Sequence, residues 1–291
     1  MRCAVIWKTR AFQVFAKMAR TAFHVGVRLK PFRRQRDAAK TQANANWACY
    51  SLLLLLTLGG GAASAASCER VQFDDLLFTI CRADATQDRI ALFLNDADGV
   101  PHSTFGSVNE ALAEDDQTLI FAMNGGMYHE DRAPVGHYIE DGEETMRVIP
   151  NAGPGNFGML PNGIFCIRNG RADVIETLDY VDASPGCLHA TQSGPMLVID
   201  GALHPRFLPD SASRFIRNGV GTSADGVQVV FAISDTPVTF HQFARLFRDA
   251  LDVPNALFLD GNVSRLYDAA SGRSDFGRAM GPIIGVVGDA P

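Results

Sequence analysis

Beyond residue 67 the chain has no lysine. Lys8, Lys17, Lys30 and Lys40 all fall in the first 46 residues, so every permanent cation of residues 68–291 is an arginine. Positive charge is scarce there: 15 arginines stand against 31 acidic residues, a net of −16. Such a surface repels nucleic acid and anionic membranes. An anionic ligand must be met by a local group of arginines working against the overall field. The apolar run Trp47–Leu58 is too short to span a bilayer, which needs roughly 20 residues. No C-x-x-C or H-E-x-x-H spacing points to zinc, and no G-x-S-x-G elbow, kinase signature or P-loop is present, so no metal or cofactor is expected. Gly153–Gly158 matches G-x-G-x-x-G as a string. No strand leads into it and no helix starts there, so it reads as a loop.

The amino end differs from the rest. Residues 1–46 hold eleven basic residues and one acidic one, Asp37. The apolar run follows, and then small residues from Gly59 to Ser67, including Ala63-Ser64-Ala65. Basic flank, short apolar stretch and Ala-x-Ala step form the pattern of a secretory signal. Residues 1–67 therefore read as a leader with an over-long basic region, and 68–291 as one mature domain. Its expected location is the periplasm or the extracellular space, without stable insertion in a membrane. A retained membrane anchor is the competing reading.

Once the leader is set aside, Cys68, Cys81, Cys166 and Cys187 remain. An even count in an exported chain favours two disulfides. Four cysteines allow three pairings, and proximity in sequence suggests Cys68–Cys81 and Cys166–Cys187. Zinc ligation and lipidation of Cys68 are the alternatives; Ala65-Ala66-Ser67 is a poor lead-in for the latter.

Leu76–Arg82 and Ile90–Asn95 read as paired strands. Ser107 and Glu110 have the spacing of a capping box, which predicts a short helix through Ala113. Asn169-Gly170 and Asp200-Gly201 each sit between short apolar runs and predict hairpins. Further strands are expected at Thr118–Met123, Val227–Ser234, Ala256–Leu259 and Pro282–Val287. Residues 239–252 read as the clearest helix, with Thr239 and Gln242 as a capping box and Phe243, Leu246, Phe247, Ala250 and Leu251 on one face. Many hairpins with a few inserted helices predict an α+β domain of mixed or antiparallel sheets. The absence of regular strand–helix alternation argues against a Rossmann fold or a TIM barrel.

Four polar, glycine-rich segments stand at the ends of apolar strands: Asn124-Gly125-Gly126-Met127-Tyr128, Gln192-Ser193-Gly194-Pro195-Met196, Arg217-Asn218-Gly219-Val220-Gly221 and Leu259–Ser264. Each alone is more often a turn than a site. Together, in this order, they resemble the motifs of the phosphodiester glycosidase family, over roughly Leu76 to Val287. Asn124, Gly125 and Gly126 match the first motif, and Ser193, Gly194 and Pro195 the second. Arg217 and Gly221 match the third, and Asp260, Gly261 and Ser264 the fourth. The chain departs from the pattern at Met127, where an aromatic is usual, at Asn262 in place of a glycine, and at Arg265 in place of a serine. Tyr128–Val135 and Phe231–Phe247 look like a bacterial envelope subgroup.

The resemblance implies an exported hydrolase that cleaves a sugar 1-phosphodiester at the anomeric carbon. An oxocarbenium-like transition state calls for a carboxylate and an activated water or nucleophile. Asp260 is the first candidate, and Asp235, just after a strand, the second; His241 is a candidate acid or base. A guanidinium can hold the phosphate through two parallel hydrogen bonds. Arg217 leads, followed by Arg265 and Arg214. Asn124 and Ser193 read as partners of sugar hydroxyls, within a substrate-binding set completed by Gly125, Gly126, Gly194, Gly261 and Ser264. The expected partner is a sugar-phosphate or phosphoglycan. The rival readings are a polysaccharide-binding domain without turnover and an enzyme that cuts P–O instead of C–O.

Overall fold

The computed structural model describes residues 66–290. Residues 1–65, with the basic region, the apolar run and the first two cysteines of the chain, lie outside these residues.

Three antiparallel sheets make the domain. The largest has seven strands, in the order Ser67–Phe73, Leu76–Asp84, Gln228–Ser234, Asn218–Thr222, Asn255–Asp260, Met196–Ile199 and Ala202–Leu203. The second runs Arg273–Ser274, Leu266–Asp268, Gln117–Asn124, Ile283–Asp289 and Arg89–Phe93. The third runs Glu143–Met146, Tyr138–Glu140, His189–Ser193, Gly163–Arg168 and Arg171–Glu176. The fold is α+β, with strands dominant and short helices at Phe105–Leu112, Thr177–Ala183 and Phe240–Arg245.

The strand Gln228–Ser234 shows how the sequence builds this arrangement. Successive side chains of a strand point to opposite faces. Val229, Phe231 and Ile233 enter the core between the sheets, while Val230 and Ala232 face the layer that holds the Phe240–Arg245 helix. Both faces are covered, so the strand is a continuous apolar run. Phe231 meets Phe121 of the second sheet at 5.5 Å and Phe165 of the third at 5.9 Å, both edge to face. One aromatic thus joins all three sheets, in the geometry that aromatic quadrupoles favour.

Two disulfides pin the periphery. Cys68 and Cys81 lie opposite each other on neighbouring strands and are bonded; Cys166 is bonded to Cys187, after the Thr177–Ala183 helix.

Several local expectations are corrected. Leu76–Asp84 does not pair with Arg89–Phe93. The first pairs with Ser67–Phe73 and Gln228–Ser234, the second with Ile283–Asp289 in another sheet. Apolar pattern places a residue on a strand, but the partner is chosen by long-range packing. The helix cap at 107 is also displaced by one turn. Thr104 is the extended residue, and its hydroxyl accepts from Ser107 N at 3.2 Å, while the Ser107 hydroxyl pairs with His102 Nδ1 at 3.0 Å. At residue 239 the capping box is present as expected. The helix, however, opens into a π turn at Leu246–Ala250, with Leu251 N reaching back to Leu246 O at 3.0 Å. The wider turn keeps Leu246 and Phe247 inward and leaves Ala250 exposed. Finally, Arg217–Gly221 is not a loop, since Asn218–Thr222 is an inner strand of the largest sheet.

Candidate active site

The Asn218–Thr222 strand lies beside Asn255–Asp260, with Asn218 opposite Asp260. That register places Arg217 and Asp260 at the same edge of the sheet. Asn124 ends a strand of the second sheet and Ser193 a strand of the third. Four strand ends from three sheets therefore meet at one rim. Beside them opens a cavity of about 850 Å³, whose wall includes Tyr128, Phe157, Phe215, Arg217, Asp260 and Arg278.

Asp260 is 7% exposed and has no cation in salt-bridge range among the described residues. Burial raises its carboxyl above the usual aspartate value, and the backbone amides of Asn262, Gly261 and Val263 offset only part of that. The amide of Asn262 donates to Oδ1 at 2.8 Å. A buried carboxylate without a counter-charge is costly to fold. It is also a stronger base than an ordinary aspartate, which suits proton transfer or attack near neutral pH.

Arg217 presents the complementary case. It is 1% exposed, and its guanidinium lies 3.6 Å from the centre of the Phe240 ring. Phe240 stacks on Phe207 at 4.9 Å, and Phe207 on His204 at 4.8 Å, so a ladder of rings holds the cation in place. Nε donates to the Val238 carbonyl at 2.9 Å and Nη2 to the Ser213 carbonyl at 3.3 Å. No protein acceptor engages Nη1 among the described residues, and no carboxylate neutralises the charge. Burial lowers its pKa to about 10, so it stays cationic at neutral pH. The cavity wall thus holds a buried cation and a buried anion that are not paired with each other. Each retains its full pull on a ligand, the usual condition of a functional site.

The geometry of the turn comes from amides and two hydroxyls rather than from charge. Asn218 Oδ1 accepts from the Asp260 amide at 3.1 Å, and Asn218 Nδ2 donates to Asn124 Oδ1 at 3.0 Å. Asn124 Oδ1 also accepts from the Arg265 amide at 3.0 Å. Ser264 closes the turn by donating to the Asp260 carbonyl at 2.6 Å, and Ser193 donates to the Leu259 carbonyl at 2.8 Å. Asn124, Ser193 and Ser264 therefore spend their polar atoms on the protein and hold the Asp260 turn in place. Asn218, absent from the residue-by-residue expectations, is the centre of this clasp.

The glycines of the motifs serve close packing. A Cβ on Gly126 would lie 2.7 Å from Thr191 Oγ1, and one on Gly194 2.6 Å from Asn162 Cβ. A Cβ on Gly125 would lie 3.1 Å from the backbone of Ile283 and Ile284 and from the Leu92 side chain. A Cβ on Gly261 would sit 3.0 Å from the Phe258 ring, a tight contact, and 3.8 Å from Arg217 Nη1, an ordinary one, so the ring is what it would press on.

Other expected residues lie elsewhere. Asp235 is paired with Arg273 at 3.1 Å and accepts from the Thr79 hydroxyl at 3.1 Å, outside the wall of this cavity. His241 lies on the first turn of the Phe240–Arg245 helix, also outside it. Arg214 donates to Gln242 Oε1 at 2.8 Å. Arg265 is buried and donates to the Arg278 carbonyl, on the far side of the turn. Phe215 and Arg278 line the cavity without any sequence signal that could have singled them out, and Arg132 does so from within the Tyr128–Val135 string. Tyr128 lies in the first motif. Its hydroxyl donates to the Ala279 carbonyl at 2.9 Å, and burial followed by the charge of Asp260 raises its pKa.

Comparison with known proteins extends this picture. The model of the phosphodiester glycosidase family matches residues 117–287, a span that includes all four motifs. An uncharacterized protein of Escherichia coli strain K12, YigE, is 35% identical over 182 residues, which cover 62% of this chain and 70% of that protein. Among solved structures, the catalytic domain of zebrafish N-acetylglucosamine-1-phosphodiester alpha-N-acetylglucosaminidase, auto-inhibited by its pro-peptide, is similar with a TM-score of 0.53. That match covers 76% of this chain and 81% of the other at 16% identity, and it is a likeness of fold.

Proposed function

We infer a function from one premise: this chain belongs to the phosphodiester glycosidase family. It is a hydrolase of that kind. We propose that it hydrolyses a sugar 1-phosphodiester at the C1–O bond, in the large cavity, with Asp260 and Arg217 as the principal groups. The observation that carries this reading is the pair of buried, mutually unpaired charges on one cavity wall. Two disulfides and the secretory pattern of the leader support action outside the cytoplasm, on envelope or extracellular glycans.

The chemistry follows from the charges. Arg217 holds the phosphoryl oxygens, with Nη1 free to donate to them. As the C1–O bond breaks, its electron pair leaves on the phosphate and positive charge grows on the sugar ring. Asp260 stabilises that charge and takes up the proton of the attacking water, whose oxygen bonds to C1. The products are the free sugar and a phosphate monoester. The leaving group is weakly basic and already anionic, so strong general-acid assistance is not required. Arg217 withdraws charge from it instead.

Hydrolysis in water enriched in oxygen-18 is the test, using diesters of N-acetylglucosamine 1-phosphate first and other sugars after it. Label in the sugar supports the reading. Label in the phosphate means P–O cleavage, and the absence of product over the whole panel leaves a binding domain.

A further inference from the structure

The turn that carries Asp260 has a cavity on its other side as well. This second cavity has a volume of about 770 Å³ and shares Gly261, Asn262, Val263 and Arg278 with the first. Residues 261–263 are therefore a ridge between two adjoining hollows.

The charges in the second hollow do not cancel. Arg273 is satisfied by Asp235 at 3.1 Å and Asp275 at 2.9 Å. Arg265 donates to a backbone carbonyl and has no carboxylate within 4 Å among the described residues. Arg278 is exposed, and its side chain makes no hydrogen bond or ion pair with them. Three arginines line this hollow against two aspartates, an excess of one positive charge in a domain whose net charge is −16.

Phe276 stands at the edge of the same hollow and is 96% exposed. Burying such a ring against a ligand would be favourable by about 1.5–3 kcal/mol. Its neighbours hold it outward. The Asp275 amide donates to the Leu266 carbonyl at 3.0 Å, and Asp275 Oδ2 accepts from the Leu266 amide at 3.0 Å. On the other flank, Gly277 adopts φ +152 against Arg265, where a Cβ would lie 2.8 Å from Nη2. The ring is presented by a turn fixed on both sides.

We propose that the second cavity is a subsite for the group beyond the scissile phosphate, and that this group is a sugar bearing a further phosphate. The substrate is then a chain of sugars joined by phosphodiesters, threaded across the ridge, rather than a single capped sugar phosphate. This rests on the assignment of Arg217 and Asp260 above. Phe276 offers its face to the C–H surface of the distal sugar, and Arg278 and Arg265 meet the second anion with planar donors suited to phosphate.

Three ligands test it: the methyl diester of N-acetylglucosamine 1-phosphate, its diester with a neutral sugar, and its diester with a sugar monophosphate. Affinities are measured by calorimetry on the Asp260→Asn chain, which suppresses turnover. The expected order is methyl weakest and sugar monophosphate strongest, with about tenfold or more between the ends. Phe276→Ala should abolish the gain from the neutral sugar. Arg278→Gln should abolish the additional gain from its phosphate, together with the salt dependence of that gain. Equal affinity for all three ligands overturns the proposal, as does an equal loss for all three in both variants, or no binding of any. Turnover by the unmodified chain is read separately. An intact affinity ladder without hydrolysis would refute the catalytic assignment and leave the subsite standing.

Discussion

Arg217 and Asp260 are costly residues for the fold, and that cost gives a test of the catalytic roles proposed for them. Burial raises the folded pKa of Asp260 above its unfolded value. Between those two values the folded state binds more protons than the unfolded state, so stability falls as pH rises through the interval and stays lower above it. Asp260→Asn should therefore be more stable than the parent at neutral pH, and the difference should shrink at pH values below the ordinary aspartate range. Thermal melts across pH check this; a variant that melts lower at pH 7 would make Asp260 a structural turn residue. The same substitution should lower kcat by about a hundredfold or more. The acid limb of the parent's kcat/KM profile should lie above the usual aspartate range and disappear in the variant. Arg217→Lys keeps the charge and loses the fork. Loss of one charge-assisted hydrogen bond, about 1.5–3 kcal/mol, predicts a ten- to hundredfold fall in kcat/KM.

One strand decides where these residues meet. Asn218–Thr222 alternates Gly219 and Gly221 with larger residues, and its glycines face the helix layer. A Cβ on Gly219 would lie 2.7 Å from the Leu257 carbonyl, and one on Gly221 2.7 Å from Val253. Gly219→Ala must push on backbone, and is expected to cost about 1–3 kcal/mol, or a fall of several degrees in Tm. Gly186→Ala is the control, because nothing lies within 4 Å of its Cβ and its φ is negative; Tm should be unchanged or slightly higher. Equal melting of the two variants would refute the packing role of Gly219. The glycine-rich look of this segment suggested a loop, since glycine weakens an isolated strand. Only the helix packed above it shows why the strand has no side chains on that face.

Across the whole domain, the edges are held by covalent bonds. Cys68–Cys81 ties the outermost strand of the large sheet, and Cys166–Cys187 ties the segment after the Thr177–Ala183 helix to the third sheet. Each bridge is expected to contribute about 2–4 kcal/mol. Replacing either pair by alanine should lower the chemical denaturation midpoint by a corresponding amount, and an unchanged midpoint would show the bridge to be dispensable.

The sequence by itself determined the α+β class, the capping box at Thr239, and the four polar segments, because these depend on local periodicity, local hydrogen bonding and short strings. It singled out Arg217 and Asp260 for the same reason, since each lies in a motif. Tertiary structure alone decided that these two share a cavity wall while Asp235 and His241 lie outside it, because strand pairing between distant segments sets that register. It also turned Asn124 and Ser193 toward the protein, brought in Asn218 as the clasp, and left Phe276 and Arg278 without partners. Whether a polar atom is free or spent depends on neighbours far away in the chain, and no local pattern encodes them.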